Sequence, residues 1–385
     1  MLENKINTSD KPVPNNAVTY YSYTVFFKNG KHDETVHHPN CENITGYTPE
    51  EFNLDRDLWM KMVPVSDQEF VLQQIDYALL NNENHEFEHR IQHKTRGIRW
   101  IKNIIIFNKD IAGNFISYTG LVIDITSEKA GEKALLEKAE DLLIAAAIQR
   151  AYLPRLEDFR DYKLLDIHYF YQPLFEVGGD IISINLINDN KMAVFIADVT
   201  GHGVAAAILG AVVKSVSEQA RIKFPDQPAA YLRYFNEIIT QKFYSSRQFL
   251  TGLYGCFEPL ENNQMRFTWA KGGHPQPYLF RKKENSFSHL FSRGMLMGVS
   301  MTQEFEEKSV ILKKGDRLFL YTDGISETQN NEMMVLDEER DWKAIFVNSD
   351  NDPINKSINK ILSRLNAMRT GPIEDDIILA GFEVR

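Results

Sequence analysis

A chain of 385 residues is long enough for two domains, each with a core of its own. With 43% hydrophobic and 25% charged residues it has a globular composition, and a net charge of −10 argues against a nucleic-acid partner. No apolar run reaches membrane-spanning length, the start MLENKINTSD lacks a signal-peptide core, and Cys41 and Cys256 are too few for a disulfide framework, so the expectation is a cytoplasmic protein with no membrane association.

Residues 1–16 are polar, carry Pro12 and Pro14, and read as a flexible tail. Over 17–126 the pattern is α+β. An aromatic strand over 19–27 meets the hairpin dipeptide Asn29-Gly30, and a helical region covers 41–52. Ser66 and Glu69 have capping-box spacing and predict a helix opening there and running to about 80. Strands follow over 86–93, 98–107 and 115–125; in the middle one Ile98, Trp100, Ile104 and Ile106 share one face at period two.

Residues 127–153 contain no proline and, after Gly131, no glycine. Leu135, Ala139, Leu142, Ala146, Gln149 and Leu153 recur at alternating three- and four-residue steps. Two readings are open: a short parallel coiled coil that makes a homodimer, or a single linker helix packed on its own chain. Pro154 ends the segment.

The C-terminal stretch, 154–385, is punctuated by acidic turns. VGGD ends at Asp180, and ADVTGHG carries Asp198, Val199 and His202. Between them 181–187 and 192–197 are apolar and β-prone, joined by Asn188-Asp189-Asn190, which reads as a hairpin that brings both carboxylates to one place. Asp323 lies in LYTDG after a strand over 317–321, and Asp375 and Asp376 precede the apolar run 377–379. Helices are expected over 204–222, 228–244 and 353–368, and further strands over 250–258 and 265–270.

Carboxylates about 4 Å apart repel by roughly 4 kcal/mol at an effective dielectric near 20. An empty cage of them holds protons near neutrality, and a hard divalent cation removes the conflict. Two ions roughly 4 Å apart can share a water, lower its pKa and clamp a phosphoryl oxygen. Glycines such as Gly179 let backbone approach the ions. Any one of these aspartates fits an ordinary turn former; four at strand–turn junctions point to a cage. His202 either positions water or phosphate, acts as a general acid, or braces its loop. His274, in a GHP turn, reads as structural, and Glu327 as a neighbour of the cage or a surface residue.

Pro173 ahead of VGGD, DVTGHG, GGHPQP (272–277), KKGDRLFLYTDG (313–324) and the terminal Asp pair resemble, as a set, the metal-dependent (PPM, protein phosphatase 2C-like) serine/threonine phosphatases of the SpoIIE, RsbU and RsbP branch. That resemblance implies an αββα sandwich with two Mn2+ or Mg2+ ions. Asp180, Asp198, Asp323 and Asp375 would be ligands together with the Val199 carbonyl, with Asp198 bridging. Gly179, His202 and Asp376 would support them from behind. The implied chemistry is in-line attack of water on a phosphoserine or phosphothreonine without a phosphoenzyme. The implied partner is a phosphorylated STAS-domain anti-anti-sigma factor in a bacterial partner-switching pathway. Ile181, Ile182 and Ser183 depart from the aromatic and acidic residues frequent after the first motif, and Ile378 from a frequent Thr; neither departure removes a ligand.

Within 17–126, ENITGYTPEEF (42–52) and DITSEKAGEKAL (124–135) resemble a PAS sensor domain, whose antiparallel sheet with flanking helices would hold an unknown small ligand or act as a protein–protein module. Cys41 lacks the flanking residues of flavin-binding variants. His37, His38, His85, His89 and His93 fit surface or strand positions better than haem ligation. IQRAYLP (148–154) resembles the junction that precedes the phosphatase in this branch. The rival readings are a catalytically weak phosphoprotein-binding module and a hydrolase of a small phosphoester; no Walker-type glycine loop supports the second.

Overall fold

The computed structural model describes residues 20–28, 31–109, 115–243, 248–328, 345–346, 352–369 and 371–385. The chain divides into two compact units, Met1–Ala139 and Glu140–Arg385.

In the first unit β1 (Tyr20–Lys28) pairs with β2 (Lys31–His37); the Asn29-Gly30 turn and the 1–16 tail lie outside the described residues. Then come α1 (Cys41–Thr45), α2 (Pro49–Leu54), α3 (Leu58–Met62), α4 (Val65–Asn81), β3 (His85–His93), β4 (Gly97–Lys109) and β5 (Phe115–Asp124). The strands form one antiparallel sheet in the order β2-β1-β5-β4-β3. Period-two alternation turns Tyr21, Tyr23 and Val25 of β1 inward, against Ile44, Phe52, Met62 and Val71 of the helical region.

Two details differ from the sequence expectation. The inward face of β4 is Ile101, Asn103 and Ile105, whereas Ile98 and Ile106 are 46% and 40% exposed. Both faces of this strand are apolar, and the core face tolerates Asn103 because its amide donates to the Tyr23 hydroxyl at 3.1 Å. The capping box sits at Thr48 and Glu51 rather than Ser66 and Glu69. Pro64, with φ −53°, opens α4, and the Ser66 hydroxyl is engaged with Asp67 at 2.8 Å and Arg90 at 3.0 Å.

The helix α5 (Thr126–Ala151) leaves Leu135, Leu136 and Leu143 largely exposed and buries Ala146. Beyond it lie β6 (Leu165–Gln172), β7 (Ile181–Leu186), β8 (Met192–Val199), α6 (Gly203–Lys223), α7 (Pro228–Phe243), β9 (Leu250–Leu260), β10 (Gln264–Gly272), β11 (Tyr278–Arg281), β12 (Ser286–His289), β13 (Lys308–Leu312), β14 (Arg317–Tyr321), α8 (Asp323–Ser326), α9 (Ile354–Met368) and β15 (Ile377–Val384). They build two antiparallel sheets, β13-β10-β9-β8-β7 and β12-β11-β14-β15-β6.

Alternation along the central strands fixes the layers. Met192, Val194 and Ile196 of β8 meet Ile378, Ala380 and Phe382 of β15 between the sheets. On the other face of β8, Ala193, Phe195 and Ala197 pack on Val213, Val216 and Phe235 of α6 and α7. Ile377 and Leu379 pack on Ile358, Ile361 and Leu365 of α9. Each large apolar side chain so buried contributes roughly 2 kcal/mol. Strands covered on both faces read as continuous apolar runs, and the resulting order of layers is helix, sheet, sheet, helix.

Candidate active site

The β7–β8 register pairs Ile181 with Ala197, so Asp180 and Asp198, one residue beyond each, stand at the same end of the first sheet. In the second sheet Tyr321 of β14 pairs with Leu379 of β15. The turn after β14 therefore delivers Asp323, and the chain entering β15 delivers Asp375 and Asp376, at one end of that sheet. A side chain ties the two ends together. Thr322, fully buried, donates its hydroxyl to Asp180 Oδ2 at 2.7 Å and accepts from the Ile378 N–H at 2.8 Å.

Asp376 is a brace of the first loop. Its Oδ1 accepts from the Leu174 N–H at 2.7 Å, and its Oδ2 from Gly179 at 2.5 Å and Asp180 at 3.4 Å. This packing needs the paired glycines: a Cβ on Gly178 would stand 2.3 Å from Asp376 Oδ2, and one on Gly179 2.8 Å from the Val199 carbonyl oxygen. Gln149, on the last turns of α5, closes the loop from the other side. Its amide donates to the Gly178 carbonyl at 2.6 Å, and its Oε1 accepts from the Gly178 N–H at 3.0 Å and the Tyr171 hydroxyl at 3.2 Å.

Burial pushes the Asp180 carboxyl well above the ordinary range, and the neighbouring Asp198 adds to the rise. Asp198 is raised to about 8, first by burial and then by Asp323 and Asp375. Asp323 is raised to about 6 by burial, with Asp375 and Glu327 contributing, and burial raises Asp375 as well. Asp180 Oδ1 and Asp323 Oδ1 are buried without a hydrogen-bond partner. Among the described residues no three His, Cys, Asp or Glu side chains are disposed to hold an ion as they stand. Mutually repelling carboxylates with orphaned oxygens nonetheless form an oxygen donor set that suits a hard divalent cation.

The remaining expected residues are placed as follows. Val199 is buried with its carbonyl facing Gly179. His202 is exposed at the N-cap of α6, makes no capping bond, and lies 5.1 Å from the Phe175 ring; its charge works against the rise of Asp375. His274 is buried, bonded through Nδ1 to the Thr251 hydroxyl at 2.8 Å, and pushed down to about 3, first by burial and then by Lys271. Glu327 is exposed just after α8. Sequence reasoning passed over Thr322, although it directly precedes Asp323. It read Gln149 as a heptad position, where a polar residue in an apolar register was a signal of another role.

The family model described as Stage II sporulation protein E (SpoIIE) matches residues 188–385, and one described as PAS fold matches 34–122. Phosphoserine phosphatase RsbU of Bacillus subtilis (strain 168) is 24% identical over 247 residues, covering 63% of this chain and 70% of its own. Phosphoserine phosphatase RsbP of the same organism is 23% identical over 166 residues, covering 42% of this chain and 40% of its own. The structure of the SiaA-PP2C domain of Pseudomonas aeruginosa shares the fold, with a TM-score of 0.57 at 19% identity over 66% of this chain and 99% of its own. The C-terminal unit is thus a PP2C-type phosphatase domain, preceded by a PAS domain. The chain belongs to the SpoIIE family. No described helix is long and apolar enough to cross a membrane.

Proposed function

We propose that the chain is a metal-dependent phosphoserine/phosphothreonine protein phosphatase under the control of its PAS domain. The observation that carries this reading is the juxtaposition of Asp180, Asp198 and Asp323, raised in pKa and with two buried oxygens unpartnered. Bound Mn2+ or Mg2+ would neutralise charge on the transferred phosphoryl group and activate water for in-line attack.

The chain's own residues prepare that reaction. Asp180, Asp198, Asp323 and Asp375, with the Val199 carbonyl, would hold the ions. Burial and mutual repulsion favour the protonated forms of Asp180 and Asp198, and loading of a cation would displace the protons they hold. Thr322 and Asp376 fix the orientation of Asp180, as the supporting residues of a metal site do. His202, exposed and near enough to Asp375 to act on it, would be the residue to meet an incoming phosphate or to brace its loop.

Regulation would run along α5. Gln149 grips Gly178, two residues before Asp180, so a shift or rotation of the helix would move a metal ligand. The exposed Leu135, Leu136 and Leu143 would pair two chains through this helix and the PAS domain in a homodimer. The substrate we favour is a phosphorylated STAS-domain anti-anti-sigma protein, by kinship with RsbU. The buried thiols of Cys41 and Cys256, pushed up to about 11 and about 12 by burial, suit a reducing cytoplasm. Phosphate release from such a protein of the same organism, with manganese titrated, tests the reading. Metal-dependent, saturable release is expected; no release at any metal concentration would leave only a phosphoprotein-binding module.

A further inference from the structure

A cavity of about 220 Å3 lies among the last turns of α5, the first half of α6 and the start of β7. Its wall is predominantly apolar and includes Ile148, Tyr152, Ile181, Ile208 and Ala211. Ile148, Tyr152 and Ile208 are 53%, 51% and 63% exposed, so the cavity opens to solvent along an apolar lip. Three polar side chains reach the lining. Gln149 is engaged with Gly178 and Tyr171, and Asp180 with Thr322.

Lys214 is the third, and its situation is different. Its ammonium donates to the Ser183 hydroxyl at 2.5 Å, which uses one of three N–H groups. Glu218, on the next turn of α6, is committed to Arg221 at 2.8 Å. Among the described residues no carboxylate forms an ion pair with Lys214. A half-buried cation set in an apolar wall, with Glu218 near it but turned to Arg221, is an arrangement that burial disfavours; burial lowers the Lys214 pKa and the Glu218 charge works against that fall. The cavity is smaller than the roughly 300–1,000 Å3 of drug-sized ligand sites, which restricts an occupant to a slender shape.

We propose that this cavity binds a medium-chain fatty acid, with the alkyl chain along Ile148, Tyr152 and Ile208 and the carboxylate on Lys214 Nζ. The alkyl chain covers the apolar surface of the lip, and the carboxylate gives Lys214 a direct ionic partner in a charge-assisted hydrogen bond. Binding here does not require turnover by the acidic cage, although Asp180 and Gln149 border both sites.

The test is calorimetric titration of the full chain with decanoate and, in parallel, with decanol, both below micelle-forming concentrations. Saturable binding of one decanoate per chain is expected, with decanol at least about tenfold weaker, the size of a lost charge-assisted hydrogen bond. Lys214→Met should remove the advantage of the acid over the alcohol. Ile208→Glu, at an exposed position that the fold tolerates, should weaken decanoate binding by a similar factor. Absence of saturable decanoate binding overturns the proposal. So does decanoate binding that Lys214→Met leaves unchanged, because it then occurs elsewhere on the chain.

Discussion

The hydroxyl of Thr322, one residue ahead of Asp323 at the end of one sheet, donates to Asp180 Oδ2 at the end of the other at 2.7 Å. Because the Thr322 hydroxyl oxygen also accepts from the Ile378 N–H, one side chain links β14, β15 and the loop before β7. It sets the direction in which Asp180 Oδ1 points and leaves that oxygen free for an ion.

Thr322→Val keeps the shape and removes the donor. We predict a loss of manganese affinity of about 10- to 100-fold, the usual effect of deleting a partner of a metal ligand. Thr322→Ser should restore most of it. Metal titrations of phosphate release, or direct manganese-binding isotherms, measure both.

The raised carboxylates give the metal-free protein an unusual pH dependence. A carboxyl whose folded pKa exceeds its unfolded value makes the native state bind more protons than the unfolded state, so stability falls as pH rises between the two values. For Asp198 that window runs from its ordinary 3.8 to about 8, and for Asp323 from 3.8 to about 6. In chelator the melting temperature of the phosphatase unit should therefore decline from pH 5 to pH 8 and level off above. Manganese should flatten the decline, and its apparent affinity should rise across the same interval as protons are displaced. A metal-free melting temperature that climbs steadily to pH 8 would contradict the assignment.

Gln149 gives the linker its hold on the site. Gln149→Leu preserves the bulk and the helix propensity while removing three hydrogen bonds, two of them to the backbone of Gly178. Turnover should fall by at least about tenfold, in keeping with one or two lost bonds at a positioning loop. Excess manganese should recover part of it, because the loop is misplaced and the ligands are intact. Rates measured at low and saturating manganese separate this from simple unfolding.

Much of the phosphatase unit was legible because its central strands are buried on both faces. Residues 181–187 and 192–197 read as a hairpin from apolar content and a polar turn, and the register delivers Asp180 and Asp198 as the pattern required. Strands without that signature were hidden. The edge strand β2 reads KHDETVH, and β6, LDIHYFYQ, mixes polar and aromatic residues on an edge. In the PAS domain the isoleucines of β4 lie on both faces, so periodicity identified a face without saying which one is buried. The four acidic motifs were visible as sequence, whereas the residues that hold them in place were not. Thr322 and Gln149 act through a few side-chain hydrogen bonds between elements separated in the chain, and short-range pattern carries no record of those contacts.

The central claim is that Asp180, Asp198, Asp323 and Asp375 act together as a site for divalent cations that hydrolyses a phosphoprotein. Asp198→Asn tests it most directly, measured as manganese-dependent phosphate release from a phosphorylated STAS-domain protein alongside a melting curve in chelator. The account predicts turnover reduced by at least about a thousandfold, as when part of a catalytic unit is removed. It also predicts a metal-free melting temperature equal to or above that of the parent, since one repelling carboxylate has gone. Turnover retained within a few-fold of the parent, at matched manganese, would contradict it.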